Sequence, residues 1–478
     1  MSIASKVIKN TSFVFISTLF NRLFSLLFIV YAARVLGPGD LGIYALIGAV
    51  VSIFFSFVNF GIGPMAVREL ARDKTKITAM FNDILSLRLS LVVMTYPLLA
   101  LVVNILGYSE EVRYLIYVAG LTAVLSTFSS SFGILYMAIE RFKAPSLISI
   151  LVSFLSTVSN ILILYLGYGL NGIVWVPFVG SLLGAVISGI WVRRKFLKYK
   201  LSFNLSCWKE LLSDSMPFAF LSFIGNVHSQ MNIFFLSKLP GPIPENLAIG
   251  YYKSVSSIGK SVMIFSGSFK RAVLPTLSSN AGNLQIIKGI IDRSTKTFLI
   301  LIIFPLVLAT TFFNKEIIGM VFGKEYLPAA TALAVMGWAY AFQILNEPIT
   351  VTLSTNREMK KFIPWVLIEL CVNLIFAVPL IYYYSFFGAA IAFLISKIFA
   401  IFTRNYLLRS VWGIKGLELK ELSRVFVPAT VIFIVLFLAY FSAVSPLSLL
   451  LLTLVLYFIF IFTSKDFHQG IAMFTNRM

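Results

Sequence analysis

Eight of the 39 lysines and arginines lie inside or at the edges of long apolar runs: Arg22, Arg88, Lys253, Lys260, Lys270, Arg271, Lys397 and Arg404. A charge at the centre of a bilayer costs roughly 2.5–3.5 kcal/mol on insertion scales, so such residues face water, an ion or a partner. Arg22 shares one helical face with Thr11, Thr18 and Ser25, a stripe that suits a cavity wall or an ion pair between helices. Lys253 and Lys260 are seven residues apart and share a face, which Arg271 extends. Cations on one stripe repel each other unless water or an anion lies alongside. Lys270 and Arg271 can instead snorkel to the interface. Asn226 and Gln230 also share a face; their amides suit sugar hydroxyls, and equally the gluing of one helix to another.

Three acidic groups complete the set, the first being Asp83, near Arg88 at the start of the third run. Glu347 has Gln343 and Thr350 at its side, and Glu369 has Asn373 one turn on. A membrane carboxylate can carry a proton, so both are coupling candidates; a salt bridge to Lys397 or Lys260 is the other reading. The inventory is cationic: Arg22, Arg88, Lys253, Lys260 and Lys397 against Glu347 and Glu369. Such a cavity calls for an anionic passenger, for example a phosphate or pyrophosphate group.

Catalytic constellations are missing from the sequence. His228 and His468 are its only histidines, which excludes a multi-histidine metal site, and no cofactor is expected. Neither GxxxxGK[ST] nor GxGxxG occurs. The acids expected in outer loops, Asp40, Glu110, Glu111, Glu245, Glu316 and Glu325, sit on short tethers with no paired-acid motif. Cys207 and Cys371 make no disulfide framework.

The elements that must position these residues are membrane spans. The chain has 478 residues, 59% of them hydrophobic and only 12% charged, with mean hydropathy +0.93. A soluble protein carries roughly 25% charged residues. Apolar runs long enough to cross hydrocarbon recur near 11–33, 41–64, 84–106, 114–137, 146–166, 170–191, 216–238, 250–274, 296–314, 327–353, 362–384, 386–408, 424–443 and 446–463. The fold expected is therefore an all-α polytopic membrane protein of about fourteen helices. The first run is too long for a signal-peptide core and reads as a retained helix.

With the N-terminus inside, the outside loops carry only Arg34, Arg113, Lys238, Lys315 and Lys324, against 26 cations on the inside. Both termini are thus expected in the cytoplasm. The net charge of +20 is read as a basic face toward anionic lipid, and nucleic acid is not an expected partner. Leu41-Gly42-Ile43-Tyr44 and Ile249-Gly250-Tyr251-Tyr252 lie 208 residues apart, each after a Gly/Pro-rich turn. This pairing suggests two parallel six-helix lobes, residues 1–210 and 211–410, with residues 411–478 forming two additional helices and a short tail.

The stretch from Ala32 to Tyr44 resembles the A-R-x-L-G-P-x-x-x-G-x-Y signature of polysaccharide flippases in the multidrug/oligosaccharidyl-lipid/polysaccharide exporter superfamily. Ile249 to Tyr252, Ala272 to Ser278, Phe322 to Tyr326 and Asn346 to Lys361 are similar to further family segments in the same order; Glu140-Arg141-Phe142 matches only loosely. The resemblance implies an O-antigen-type transporter in the cytoplasmic membrane of a bacterium or archaeon. It would flip a polyprenyl-linked oligosaccharide from the inner to the outer leaflet by alternating access. It also implies cations from helices 1 and 8 in the cavity, here Arg22 and Lys253/Lys260. Membrane lipids, a coupling H+, Na+ or membrane potential, and polysaccharide polymerase machinery are the partners expected. A multidrug cation antiporter, a peptidoglycan-precursor flippase and a membrane glycosyltransferase are the rival readings.

Overall fold

The computed structural model describes residues 3–59, 77–138, 143–195, 199–279, 283–355 and 361–414, together with residues 61–63, 66, 70, 448 and 455. Two compact units are present. The first comprises Met1–Leu239 and Ile243–Lys253, the second Pro240–Pro242 and Ser254–Met478.

In the first unit α1 runs Ile3–Asn59 through a bend at Gly37 (φ 71°, ψ 177°) followed by Pro38. Glycine takes this backbone without a Cβ penalty, and proline restarts a helix where its missing N–H costs nothing. The bend separates the first two expected spans. Then come α2 (Ile77–Ile105), α3 (Glu110–Ala138), α4 (Lys143–Tyr165), α5 (Gly169–Lys195) and α6 (Leu205–Leu236). Gly107, Gly167 and Gly169 make the turns between α2 and α3 and between α4 and α5 with positive φ. Glu110 and Glu111 open α3, where the helix dipole favours negative charge. The α6 helix starts eleven residues before the expected span, because the Asn204 side chain caps it by accepting from the Cys207 N–H at 3.2 Å. The α7 helix spans Glu245–Val262; its residues up to Lys253 belong to the first unit and the rest to the second.

The packing is that of a bundle solvated by lipid. Leu151, Leu155, Val158 and Leu162 on α4 are exposed at helical spacing, and so are Val179, Leu183, Val186 and Ile190 on α5. Such continuous apolar stripes on an outer surface need hydrocarbon around them. The inward faces are aromatic and aliphatic: Phe81, Leu85, Phe132, Leu135, Tyr136 and Val192 make one cluster.

The two Gly-x-Tyr segments cross each other within the first unit. A Cβ on Gly42 would overlap the Asn246 carbonyl, and a Cβ on Gly250 would overlap the Pro38 carbonyl. Each glycine thus faces the residue one turn before the other glycine. The crossing is reciprocal at the 208-residue offset, as a local two-fold requires.

The second unit holds α8 (Ile264–Ser279), α9 (Leu284–Phe298), a π-turn at Leu299–Ile303, α10 (Phe304–Phe312) and α11 (Asn314–Val321). A 3₁₀ turn at Lys324–Ala329, α12 (Ala330–Thr355) and α13 (Ile363–Trp412) follow. The α13 helix bends at Ser385 (φ 50°), dividing the expected eleventh and twelfth spans, and ends on left-handed Gly413. The expected eighth span is broken after Val262 into α7 and α8. Its stretch 253–261 holds four serines and two lysines, too polar for continuous hydrocarbon. The expected ninth span begins earlier, at Leu284, because Asn283 caps it and Ile287, Ile290, Ile291 and Phe298 bury one face. Eight described stretches are long and apolar enough to cross a membrane. No strand occurs among the described residues, and the chain is a multi-pass helical membrane protein. The expected spans 424–443 and 446–463 lie outside the described residues apart from Ser448 and Val455, so the count of fourteen is not reached among them.

Candidate functional site

The first unit holds an open-sided cavity of about 480 Å³. Tyr44, Ser52 and Phe55 on α1, Thr122 and Ser126 on α3 and Pro177 on α5 form much of its wall. Gln230 on α6 and Lys253 on α7 complete it. These positions follow helical spacing: Ser52 is eight residues beyond Tyr44, and Ser126 is four beyond Thr122, so each polar pair lies on one face. Among the described lining residues Lys253 is the charged one, and no carboxylate is present. The site can therefore offer one cationic donor, one amide and several hydroxyls, set in an otherwise aliphatic wall.

Asn226, one turn before Gln230, is engaged. Its Nδ2 donates to the Ser52 carbonyl at 2.6 Å, and its Oδ1 accepts from the Ser52 hydroxyl at 3.0 Å. This two-point clamp fixes α6 on α1 and so sets where Gln230 points. Asn232 Nδ2 donates to the buried Tyr252 hydroxyl at 3.0 Å, fixing α6 on α7 beside Lys253.

The remaining sequence candidates lie elsewhere. Arg22 is on an exposed part of α1 next to Leu23 and Leu27. Arg88 is 3% exposed and belongs to a separate network. Its guanidinium donates to Asn59 at 2.9 Å, Ser130 at 3.0 Å and Ser131 at 2.9 Å, and the Nε finds no acceptor. Neutral oxygens hold a buried cation there, a costly arrangement that closes α2 against α1 and α3.

Lys260, in the second unit, is half-buried. Lys397 is buried and donates to Glu369 Oε1 at 2.7 Å. Arg404 donates to Glu369 Oε2 at 3.0 Å and through Nε to Thr350 at 2.9 Å. One carboxylate is thus shared by two cations, which ties both halves of α13 together and to α12. Glu347, on α12, receives a hydrogen bond from Ser266 and lies in the field of Lys270, Arg404 and Lys397.

The sequence therefore pointed to Gln230 and Lys253, which converge, and placed Asn226 one turn away. It met Tyr44 only as part of the repeated Gly-x-Tyr motif and did not single out Ser52, Thr122 and Ser126, although their i, i+4 and i, i+8 spacing was there to be found. Arg404 was counted as an intramembrane cation without a role, and its partner Glu369 lies 35 residues away in sequence.

At one end of α6, outside the spans, burial pushes the Cys207 thiol up to about 11, with the Asp83 carboxylate adding to the effect as neighbour and hydrogen-bond partner.

A polytopic helical bundle with a partly polar pocket among its described helices is an architecture that membrane transporters use. The solved structures agree on the fold. A lipid II flippase, MurJ, in an inward closed conformation matches with TM-score 0.73 at 18% identity, over 93% of this chain and 97% of that one. An inward-facing multidrug resistance MATE family transporter of the MOP superfamily matches with TM-score 0.66 at 15% identity, over 83% and 96%. Among curated proteins, the capsular polysaccharide biosynthesis protein CapF of Staphylococcus aureus is 22% identical over 414 residues, which cover 85% of this chain and all of CapF. Residues 7–281 match the model of the polysaccharide biosynthesis protein family, and the chain belongs to that family.

Proposed function

We propose that this chain flips a polyprenyl-(pyro)phosphate-linked oligosaccharide from the inner to the outer leaflet of the cytoplasmic membrane by alternating access, with both termini cytoplasmic. The observation that carries the reading is the cavity of the first unit, where Lys253 and Gln230 meet the hydroxyls of Tyr44, Thr122 and Ser126. A lysine is a point-charge partner for phosphate, and an amide with hydroxyls suits a sugar. A volume of about 480 Å³ matches a small-molecule site, so we assign to it the phosphate and the sugar next to it rather than a whole glycan. The polyprenyl tail stays in lipid.

We assign Arg22 and Lys260 to pyrophosphate at other stages of the cycle. Arg88, Asn226 and Lys397 are engaged within their own units, and we assign them to holding the shape of the lobes. Glu347 is the better coupling candidate of the two acids. A hydroxyl is its hydrogen-bond partner, whereas Glu369 is closed by two cations. Membrane potential is an alternative source of drive, worth about 2.3 kcal/mol per charge per 100 mV.

The test is complementation of a strain lacking this gene. Lys253→Gln should stop surface glycan from appearing and leave the lipid-linked oligosaccharide accumulating on the inner leaflet, while Lys253→Arg retains part of the export. Normal export by Lys253→Gln, with the protein in the membrane at the normal level, overturns the assignment. A second reading, a peptidoglycan-precursor flippase, is favoured by the TM-score of 0.73 to the lipid II flippase. It requires that the chain rescue cells depleted of their own lipid II flippase. The multidrug reading is disfavoured, since a cationic drug would want an acid where this lining holds Lys253.

A further inference from the structure

The connection from α5 to α6 has no regular secondary structure over residues 199–204 and is fastened along one edge. The Lys200 N–H donates to Asn82 Oδ1 at 3.0 Å, and the Ser202 N–H donates to Ser86 Oγ at 2.8 Å. Asn82 and Ser86 are one turn apart on α2, a rise of about 6 Å. Two residues of extended chain can advance about 6.6 Å, enough for alternate N–H groups of the connection to meet successive turns of the helix. The Tyr199 ring seats against Phe132 with centroids 5.4 Å apart. Asn204 then caps α6. The segment is held in place as a strap.

What the strap presents outward is apolar. Leu201 is 60% exposed, Phe203 72% and Leu205 73%. The Phe203 ring leans on Trp208 with centroids 5.8 Å apart. Arg193, Arg194, Lys200 and Lys209, which lie close to these side chains in sequence, are exposed, and so are Glu210 and Asp214. Lys195 and Lys198 add two further positive charges in the sequence. Three large apolar side chains held outward on a segment with net-positive sequence flanks fit one environment well: the boundary between headgroups and acyl chains of an anionic leaflet, which takes the apolar tips and attracts the cations.

We propose that residues 199–205 form a membrane-surface anchor that inserts Leu201, Phe203 and Leu205 into an anionic lipid leaflet and, through Asn82 and Ser86, pins α2 and the start of α6 at that surface. The proposal holds whatever the passenger is. Each cation near an anionic surface contributes about 1 kcal/mol, so removing one should loosen the anchor about fivefold.

The test uses the full chain with Cys207→Ser and Cys371→Ser, reconstituted in vesicles. Single spin labels are placed at Leu201→Cys, at Phe203→Cys and, as a control, at Lys209→Cys. In vesicles of phosphatidylethanolamine and phosphatidylglycerol, the labels at 201 and 203 should collide with oxygen and be shielded from a water-soluble nickel chelate, and the label at 209 should not be. Adding Arg194→Gln and Lys200→Gln, or using phosphatidylcholine alone, should move the first two labels toward water. Nickel access at 201 and 203 in the anionic vesicles overturns the proposal. Equal immersion in both lipids overturns the role of charge. Shielding that arises only when cytosol is added assigns the surface to a protein instead and overturns it as well. Retention of nickel shielding by labels at lipid-facing Leu155→Cys shows that each variant is folded and inserted.

Discussion

Charged side chains in this membrane protein divide by what accepts them. Glu369 is 2% exposed and satisfies both Lys397 and Arg404. Removing one member of a buried ion pair leaves an uncompensated charge at a cost of about 3–5 kcal/mol, more than the pair itself contributes. Glu369→Gln should therefore lower the melting temperature of the detergent-solubilised protein markedly. Combining it with Lys397→Met should recover part of the loss, since the stranded ammonium is gone. A double mutant less stable than Glu369→Gln alone would show that the triad is not coupled in this way. Cys207 is a second residue-scale case. Alkylation needs the thiolate, and burial with Asp83 raises the thiol from 9.0 to about 11. The thiol therefore stays protonated at neutral pH. A maleimide should label it at pH 7.5 about two orders of magnitude more slowly than it labels the same thiol in the urea-unfolded chain, with the rate climbing toward pH 11. Equal rates would show Cys207 free of both burial and Asp83.

Glycines and prolines do the punctuation among the elements, and they do it where the sequence announces it: Gly37-Pro38 within α1, Gly107 before α3, and Gly167 with Gly169 before α5. The Ser385 bend in α13 had no such announcement, because a serine at φ 50° is held by its surroundings rather than by its own preference. Gly42 and Gly250 matter differently, through the backbone each lets approach. Alanine at either position must push α1 and α7 apart, at about 1–3 kcal/mol by analogy with overpacked cores. The contact is reciprocal, so Gly42→Ala and Gly250→Ala should lower thermal stability by similar amounts. The double variant should cost less than their sum, because one separation relieves both overlaps. Full additivity in a thermal-melt cycle would refute a shared crossing.

The orientation expected across the membrane rests on alternating short loops and on the bias of lysine and arginine toward one side. Alkaline phosphatase fused after Gly107 or Gly167 should be active, and fused after Lys200 or Gly413 inactive; the reverse pattern would invert the topology. The sequence by itself determined that the chain lives in lipid, roughly where it crosses, where it turns and which family it joins. Those follow from local composition and spacing, since in hydrocarbon each span must satisfy its own backbone and declare itself as an apolar run. Tertiary structure alone decided which of the unusual charges share a site. Lys253 and Gln230 reach one cavity with Tyr44 and Thr122, Asn226 spends its amide on Ser52, and Lys397 spends its charge on Glu369. A side chain's partner in a bundle is set by the rotation and depth of helices distant in sequence, and a hydropathy pattern carries neither.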